Sequence, residues 1–228
     1  MRPISGIAAS LVAVATALVL LVVAVTPFLT PAWVSFEQGR AEAAAWTGYS
    51  PDELRTATEA ILNDLVVGPP AFDVSIDGQP VLIEAERGHM RDVRRVFSGF
   101  YLAGVAALLL LLVGRVAAGR LEGWSRSDYW GAIRVGGLGL LVGMVVAGVA
   151  SVVAFDAAFE VFHETFFSAG TYLFDPRTDR LVQLFPEQFW SETAIAVGVA
   201  AAGLYVVALA VAARRRRTAE RDSGDDVR

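Results

Sequence analysis

The sequence contains no cysteine and no lysine, and it has only two histidines in 228 residues. Without cysteine the chain forms no disulfide, supplies no thiolate ligand or cysteine nucleophile, and is not itself a lipoprotein. All basic side chains are arginine, which we interpret as the compositional bias of a GC-rich genome. The Gly-x-Ser-x-Gly elbow, the P-loop, HExxH and the dinucleotide-binding glycine pattern are also missing. The commonest hydrolase and nucleotide-binding signatures are therefore excluded.

Charged residues are missing from four long apolar runs. The chain is 55% hydrophobic, above the roughly 45–50% of soluble domains. About 20 apolar residues suffice to cross a bilayer, and a segment in lipid must satisfy its own backbone hydrogen bonds as a helix. We predict an α-helical polytopic membrane protein with four transmembrane helices. They run approximately over Ile7–Val25, Phe97–Val113, Val135–Phe155 and Ala194–Ala213.

Arginine is concentrated on one side of this four-helix layout. The clusters are Arg2, then Arg115, Arg120, Arg126 and Arg134, then Arg214, Arg215, Arg216 and Arg217. Because positive charge collects in short cytoplasmic segments, we predict that both termini are cytoplasmic. The division is 1–27 first transmembrane helix, 28–96 extracytoplasmic subdomain, 97–155 second and third transmembrane helices with a short cytoplasmic loop, 156–192 second extracytoplasmic loop, 193–213 fourth transmembrane helix and 214–228 cytoplasmic polar tail.

The alternative for the first apolar run is a cleaved signal peptide, since it follows an arginine and ends in a Thr-Pro-rich stretch. We favour an uncleaved helix because the run exceeds a typical signal h-region. Cleavage would also leave three spans and place the arginine clusters on opposite sides of the membrane.

The first outer loop is too long to be a simple connector. Ser50-Pro51-Asp52-Glu53 has the pattern of a capping box, and the apolar residues that follow recur at helical spacing until Gly68-Pro69-Pro70. Alternating apolar residues then flank Asp77-Gly78, which predicts a β-hairpin. We therefore expect a small extracytoplasmic α+β subdomain, a helix plus a β-hairpin.

The two histidines lie in different outer loops, each close to the outer end of a span. His89 precedes the second span with Asp92 one helical turn later, and His163 follows the third span with Glu164 beside it. One interpretation is a shared site, which requires the two imidazoles to lie within about 10 Å of one another because both must reach one substrate. The alternative is chance placement of two interfacial histidines.

Other outer-loop features favour structure over chemistry. The stripe Phe155, Phe159, Phe162 and Phe166 is typical of packing or lipid contact, and Trp190 is placed as an interfacial anchor. Arg91, Arg94 and Arg95 form either a solvated face or a binding surface for lipid headgroups.

In the third span, small residues repeat every four positions at Gly139, Gly143, Ala147 and Ser151, which predicts close helix packing. No ionisable residue lies deep in a span, which argues against an ion pathway.

Four motifs together resemble the lipoprotein intramolecular transacylases. They are H-M-x-D-V at 89–93, F-H-x-x-F-F at 162–167, L-F-D-P-x-T-D at 173–179 and L-F-P-E-x-F-W at 184–190. The resemblance implies a bacterial cell-membrane acyltransferase that moves the sn-2 acyl chain of a diacylglyceryl-cysteine lipoprotein onto the α-amino group of that cysteine. It also implies His89 and His163 as the catalytic residues. Its partners would be a diacylated lipoprotein and membrane phospholipid, with no nucleic acid and no cofactor.

The chemistry suits this pair, because an imidazole accepts a proton near neutral pH. We expect His89, oriented by Asp92, as the general base and His163 as the group that protonates the leaving oxygen or stabilises the oxyanion; the exchanged roles are the alternative. Glu164 and Tyr172 are expected to support them. The rival hypotheses are a non-enzymatic membrane protein that binds a partner through its outer subdomain, and a metal-dependent membrane hydrolase using the histidines with Asp92 and Glu164.

Overall fold

A computed structural model describes residues 3–120, 122–168 and 170–225. It is mostly helical, with one small antiparallel sheet. The elements are α1 (Pro3–Val25), a 3₁₀ turn (Thr26–Leu29), α2 (Pro31–Arg40), α3 (Ala43–Thr47), α4 (Pro51–Val66), β1 (Ser75–Ile76), β2 (Gln79–Pro80), α5 (Glu84–Ala117), α6 (Arg126–Val153), α7 (Phe155–Phe166), α8 (Arg180–Leu184) and α9 (Glu187–Asp225).

Four helical segments are long and apolar enough to cross a membrane, so the predicted count of spans is confirmed. Two of them belong to helices much longer than their apolar part. α5 begins thirteen residues before the apolar run that starts at Phe97, and α9 runs on through the arginine cluster to Asp225. The candidate spans are Gly6–Leu29, Glu84–Ala117, Arg126–Ala150 and Glu187–Thr218.

The chain divides into two compact units. The bundle unit comprises Met1–Ala24, Tyr101–Val146 and Gly198–Arg228, and the histidine unit comprises Val25–Phe100 and Ala147–Val197. Both predicted histidines, with the residues around them, belong to the histidine unit.

In the bundle unit, close packing of α1 against α6 depends on Gly136. A Cβ at Gly136 would lie 2.1 Å from the carbonyl oxygen of Ala13, so only glycine fits there. Two members of the predicted small-residue stripe do not make a close contact, because a Cβ at Gly139 or Gly143 would meet nothing within 4 Å. The close contact with α1 is made at Gly136 instead, one turn before Gly139.

In the histidine unit, α4 begins as predicted. Ser50 Oγ accepts the backbone N–H of Glu53, and the Glu53 carboxylate accepts the backbone N–H of Ser50 at 2.7 Å. This reciprocal pair satisfies N–H groups that a helix N-terminus otherwise leaves without partners. The inward face of the helix is buried at Ala57, Ile61, Leu62 and Leu65. The helix ends at Val66, before the predicted Gly-Pro-Pro terminator.

The subdomain contains more helix and less sheet than expected. Sequence analysis missed α2 and α3, although Thr30-Pro31 carries a helix-start signal: Thr30 Oγ accepts the N–H of Trp33. The hairpin exists, but each strand has two residues, paired Ser75 with Pro80 and Ile76 with Gln79. The apolar residues after it leave the strand: Ile83 is exposed and directly precedes α5.

One buried cluster holds the histidine unit together. Phe72, Val81, Leu82 and Leu184 are at most 1% exposed and form its centre. Met90, the residue after His89, packs in the same cluster. The start of α5 is therefore fixed by the core of the subdomain. The cluster comprises Val34, Ala41, Ala57, Ile61, Leu62, Leu65, Phe72, Val81, Leu82, Met90, Leu181, Leu184 and Phe189.

Candidate functional site

The two histidines meet. His89 lies on the second turn of α5 and His163 near the end of α7, and their ring centroids are 5.8 Å apart with the planes stacked at 25°. This separation is well inside the roughly 10 Å that a shared site requires. Both side chains are buried, at 7% and 8% exposure. Buried imidazoles in contact favour a common site over chance placement of two interfacial histidines.

Aromatic rings surround the pair. The ring of Phe167 contacts both histidines, with centroids 4.8 Å from His89 and 5.3 Å from His163. Phe174 lies 5.7 Å from His89. These contacts replace water around the imidazoles, and an apolar setting disfavours their charged forms.

His163 lies between two further rings. The ring centroid of Phe159, one turn earlier on α7, lies 3.8 Å from that of His163, and the centroid of Tyr172 lies 4.8 Å away, with both rings tilted. Burial, with the charges of Glu164 and Glu160, raises the pKa of Tyr172 above its ordinary value, so its hydroxyl stays protonated. Tyr172, which was expected to support the histidines, thus contacts His163 through its tilted ring.

The tautomer of His163 is set by its own helix. Its Nδ1 lies 2.8 Å from the carbonyl oxygen of Phe159. Because a carbonyl only accepts, Nδ1 must carry the proton, and in the neutral ring Nε2 is then the nitrogen with a free lone pair. Burial lowers the pKa of His163 below its ordinary 6.5, with the Phe159 carbonyl opposing the shift. The neutral, proton-accepting form therefore predominates at neutral pH.

His89 has no such partner. Its Nδ1 is buried and makes no hydrogen bond within the described part of the chain. Asp92, expected to orient it, pairs instead with Arg95, also one turn away on α5. The predicted contact between Asp92 and His89 is not formed, because a full charge pair outcompetes a neutral imidazole for the carboxylate.

The remaining predicted residues lie outside the ring cluster. Glu164, the residue after His163 on α7, is exposed. Arg91 pairs with Glu84 at 2.6 Å. Arg94 donates to the backbone carbonyls of Asp64 and Gly68 at the end of α4. The three arginines are thus engaged by acidic side chains or backbone, with part of Arg91 and Arg95 still exposed.

Sequence analysis missed Phe159, Phe167 and Phe174 as site residues. Phe159 lies four positions before His163 on α7, so the helical period places both on one face. The helical signal for Phe159 is part of the stripe that the sequence analysis assigns to packing or lipid contact. Phe167 follows the end of α7 with an extended backbone, and its contact with both histidines has no helical signal. Phe174 follows an irregular segment, and no local pattern connects it with His89.

A metal site would have few protein ligands here. Among the described residues, no group of three or more histidine, aspartate or glutamate side chains is arranged to hold an ion. Protein zinc sites ordinarily use three or four such ligands. The arrangement matches a pair of proton-transfer groups in an apolar setting more closely than a metal centre.

Comparison with known proteins gives one family. A family model described as "Lipoprotein intramolecular transacylase Lit" matches residues 8–190, more than half of the chain. No curated protein matches by sequence comparison.

Solved structures give the same fold. The membrane integral lipoprotein intramolecular transacylase Lit from Bacillus cereus is similar with a TM-score of 0.77 at 15% identity, over 96% of this chain and 98% of that one. Two variants of that protein, with a histidine replaced by arginine or by alanine, give TM-scores of 0.74 and 0.72 at 16% identity, over 96% of this chain and 95% of theirs.

Proposed function

The chain belongs to the lipoprotein intramolecular transacylase family, a family of bacterial multi-pass membrane acyltransferases, and on that premise we propose its reaction. It transfers the sn-2 acyl chain of a diacylglyceryl-cysteine lipoprotein to the α-amino group of that cysteine. The product is an N-acyl, S-monoacylglyceryl lipoprotein, the lyso form. The observation that carries the proposal is the buried, ring-enclosed contact between His89 and His163.

The reaction needs no nucleophile from the protein. The neutral α-amino nitrogen attacks the carbonyl carbon of the sn-2 ester, and a tetrahedral intermediate forms. The bond to the sn-2 oxygen then breaks, the nitrogen loses a proton and the sn-2 oxygen gains one. Amine and ester belong to one molecule, so much of the catalysis is holding them in attack geometry, which is worth several kcal/mol. A cysteine-free chain with two histidines suits this chemistry.

We assign His163 as the general base, which exchanges the roles expected from sequence. Its Nδ1–H donates to the Phe159 carbonyl, which leaves Nε2 free to take the proton of the amine. The same carbonyl then stabilises the imidazolium that forms. His89 lacks an orienting acceptor. Burial lowers the pKa of His89 to about 4, so its ring is neutral at neutral pH and stabilises the oxyanion by donating a ring N–H. The imidazolium of His163 then gives its proton to the sn-2 oxygen.

The aromatic rings around the two histidines have a second role in the proposed reaction, which is to keep water out of the site. Water in the site would hydrolyse the ester instead of letting the amine attack it. Phe159, Phe167, Tyr172 and Phe174 occupy the space around the imidazoles and exclude that water. Their faces also suit the apolar substrate.

We further propose that this chemistry takes place outside the cytoplasm. The arginine clusters predict cytoplasmic termini, and both histidines belong to the opposite loops. The apolar helices contact membrane phospholipid, and the substrate is a lipoprotein held by its acyl chains in the same membrane.

Mass spectrometry of a lipoprotein N-terminal peptide tests the function. The wild-type chain is expressed in bacteria that make only diacylglyceryl lipoproteins, and the N-terminal peptide is fragmented to locate each acyl group. We expect one acyl chain to move from glycerol to the amino group with no change in total mass. That isobaric shift distinguishes transfer from hydrolysis, which removes an acyl chain.

Each other outcome points to a rival. Loss of one acyl chain without N-acylation would indicate a hydrolase, and inhibition of that loss by a chelator would indicate a metal-dependent one. An unchanged diacyl form with membrane-inserted protein would contradict acyl transfer and favour a binding protein.

The rate of transfer should have an acid limb below pH 6.5. Since burial lowers the pKa of His163, the neutral base persists at pH values where an ordinary histidine is already protonated. The α-amino group of the substrate, with an ordinary pKa of about 8, also loses its neutral form as the pH falls, so each rate is divided by the fraction of neutral amine. The corrected rate should stay nearly unchanged from neutral pH to 6.5, and further acid should reduce it. The rate on a defined diacylated lipopeptide in mixed micelles is measured from pH 5 to 8, and restoration at pH 7.5 controls for unfolding. A midpoint of the corrected rate at or above 6.5 would contradict the assignment.

A further inference from the structure

Glu86 has a role in the histidine unit that helix capping alone does not explain. Its carboxylate is completely buried, at 0% exposure. One oxygen accepts the backbone N–H of Ile83 at 2.8 Å, directly before α5. The other accepts the backbone N–H of Leu181 at 2.6 Å, in the first turn of α8 and 95 residues away. One side chain thus joins two distant segments of the chain.

Both joined segments lead directly to the imidazoles. Glu86 lies one turn before His89 on α5. Leu181 follows the irregular segment 170–179, from which Tyr172 contacts His163 and Phe174 contacts His89. The Glu86 carboxylate therefore fixes the end of this ring-bearing segment to the helix that carries His89.

Glu53 offers a comparison within the same chain. It occupies the same third position of α4 that Glu86 occupies in α5, and it also accepts the N–H of the residue before its helix. Glu53 is only partly buried and makes no bond to a distant segment within the described residues. A capping role therefore needs neither complete burial nor a second acceptor. Burying a carboxylate is costly unless it is fully hydrogen-bonded, so the position of Glu86 reflects its bond to Leu181.

We propose that Glu86 is a positioning residue for acyl transfer. It holds segment 170–179 against α5, so that the rings of Tyr172 and Phe174 keep the two imidazoles in fixed positions relative to one another. This rests on the proposed function. Glu86 does not touch the substrate; it acts through the ring contacts to His89 and His163. Small displacements of groups around a reacting centre can reduce a rate a hundredfold.

The test compares Glu86→Gln with Glu53→Gln in the transfer assay on a diacylated lipopeptide. Glutamine keeps the shape but turns an N–H donor toward one backbone N–H, so one of the two bonds is lost. We expect kcat to fall about ten- to a hundredfold with KM nearly unchanged, because substrate contacts remain. Glu53→Gln should stay within about twofold. Gln38→Leu removes the buried bond from Gln38 to the Leu184 carbonyl and the buried bond from Thr58 to Gln38. It controls for loosened attachment of α8 with the Glu86 bonds intact.

A double-mutant cycle with Phe174→Leu separates positioning from general stability. If Glu86 acts through the ring-bearing segment, its substitution should cost much less in the Phe174→Leu background than in the wild type. Equal costs in both backgrounds, or a kcat of Glu86→Gln within twofold of wild type, would overturn the proposal. If Glu86→Gln does not fold, Glu86→Asp, too short to reach both amides, is read in the same way. An inactive wild type would reject the proposed function instead.

Discussion

His163→Ala should lower the rate of N-acylation by a factor of about 10²–10⁴, the usual contribution of a positioned general base. The imidazole is held with Nδ1 on the Phe159 carbonyl and Nε2 free, so no neighbouring group in the described site replaces it. The His89→Ala variant should also have a much lower rate of N-acylation than the wild type. The rates are measured by mass spectrometry of a diacylated lipopeptide incubated with each purified variant.

The pH dependence of the residual rates, each divided by the fraction of neutral amine, distinguishes the two histidines. His89→Ala retains the base, so its remaining activity should keep the acid limb below pH 6.5. His163→Ala should lose that limb. The opposite pattern would return the base role to His89, as expected from sequence. Thr165→Ala is the control, since Thr165 is exposed on α7 and its hydroxyl bonds only within the helix, to the Val161 carbonyl.

The large features of this fold could be predicted because they depend on local properties of the sequence. Apolar runs predicted four spans, and Ser50 with Glu53 predicted the start of α4, since a span and a cap each need only neighbouring residues. The proximity of His89 and His163 could also be predicted from the sequence. Topology alone placed both near the outer ends of spans, and that restricts them to one layer.

The contacts within the site are harder to predict from the sequence, because several possible partners compete for the same side chain. Asp92 is three residues from both His89 and Arg95, and spacing alone does not say which partner it takes. The arginine takes it because opposite charges attract more strongly than a carboxylate attracts a neutral ring. Phe174 contacts His89 from a segment whose end is joined to α5 by a bond between Glu86 and Leu181. No local pattern encodes a contact of that range.

Phe72→Ala should reduce the free energy of unfolding of the histidine unit by about 3–5 kcal/mol. Phe72 is 1% exposed at the centre of the buried cluster, so removing its ring leaves a cavity among Val81, Leu82 and Leu184. Pulse proteolysis across a urea series measures the loss, with cleavage sites between residues 43 and 82 identified by mass spectrometry. Val67→Ala, at an 80% exposed position of the same connection, should change stability by less than about 0.5 kcal/mol.

The backbone of Phe72 allows the cavity to be separated from strain. Its φ is +52°, a left-handed conformation that costs a residue with a Cβ about 1 kcal/mol or more and costs glycine little. Phe72→Gly creates the same cavity but removes this cost. It should therefore be at least as stable as Phe72→Ala, the reverse of the usual order. A glycine variant clearly less stable than the alanine variant would contradict the left-handed backbone. Met90 belongs to the same cluster, so both variants should lose acyl transfer in the urea range where this cluster opens.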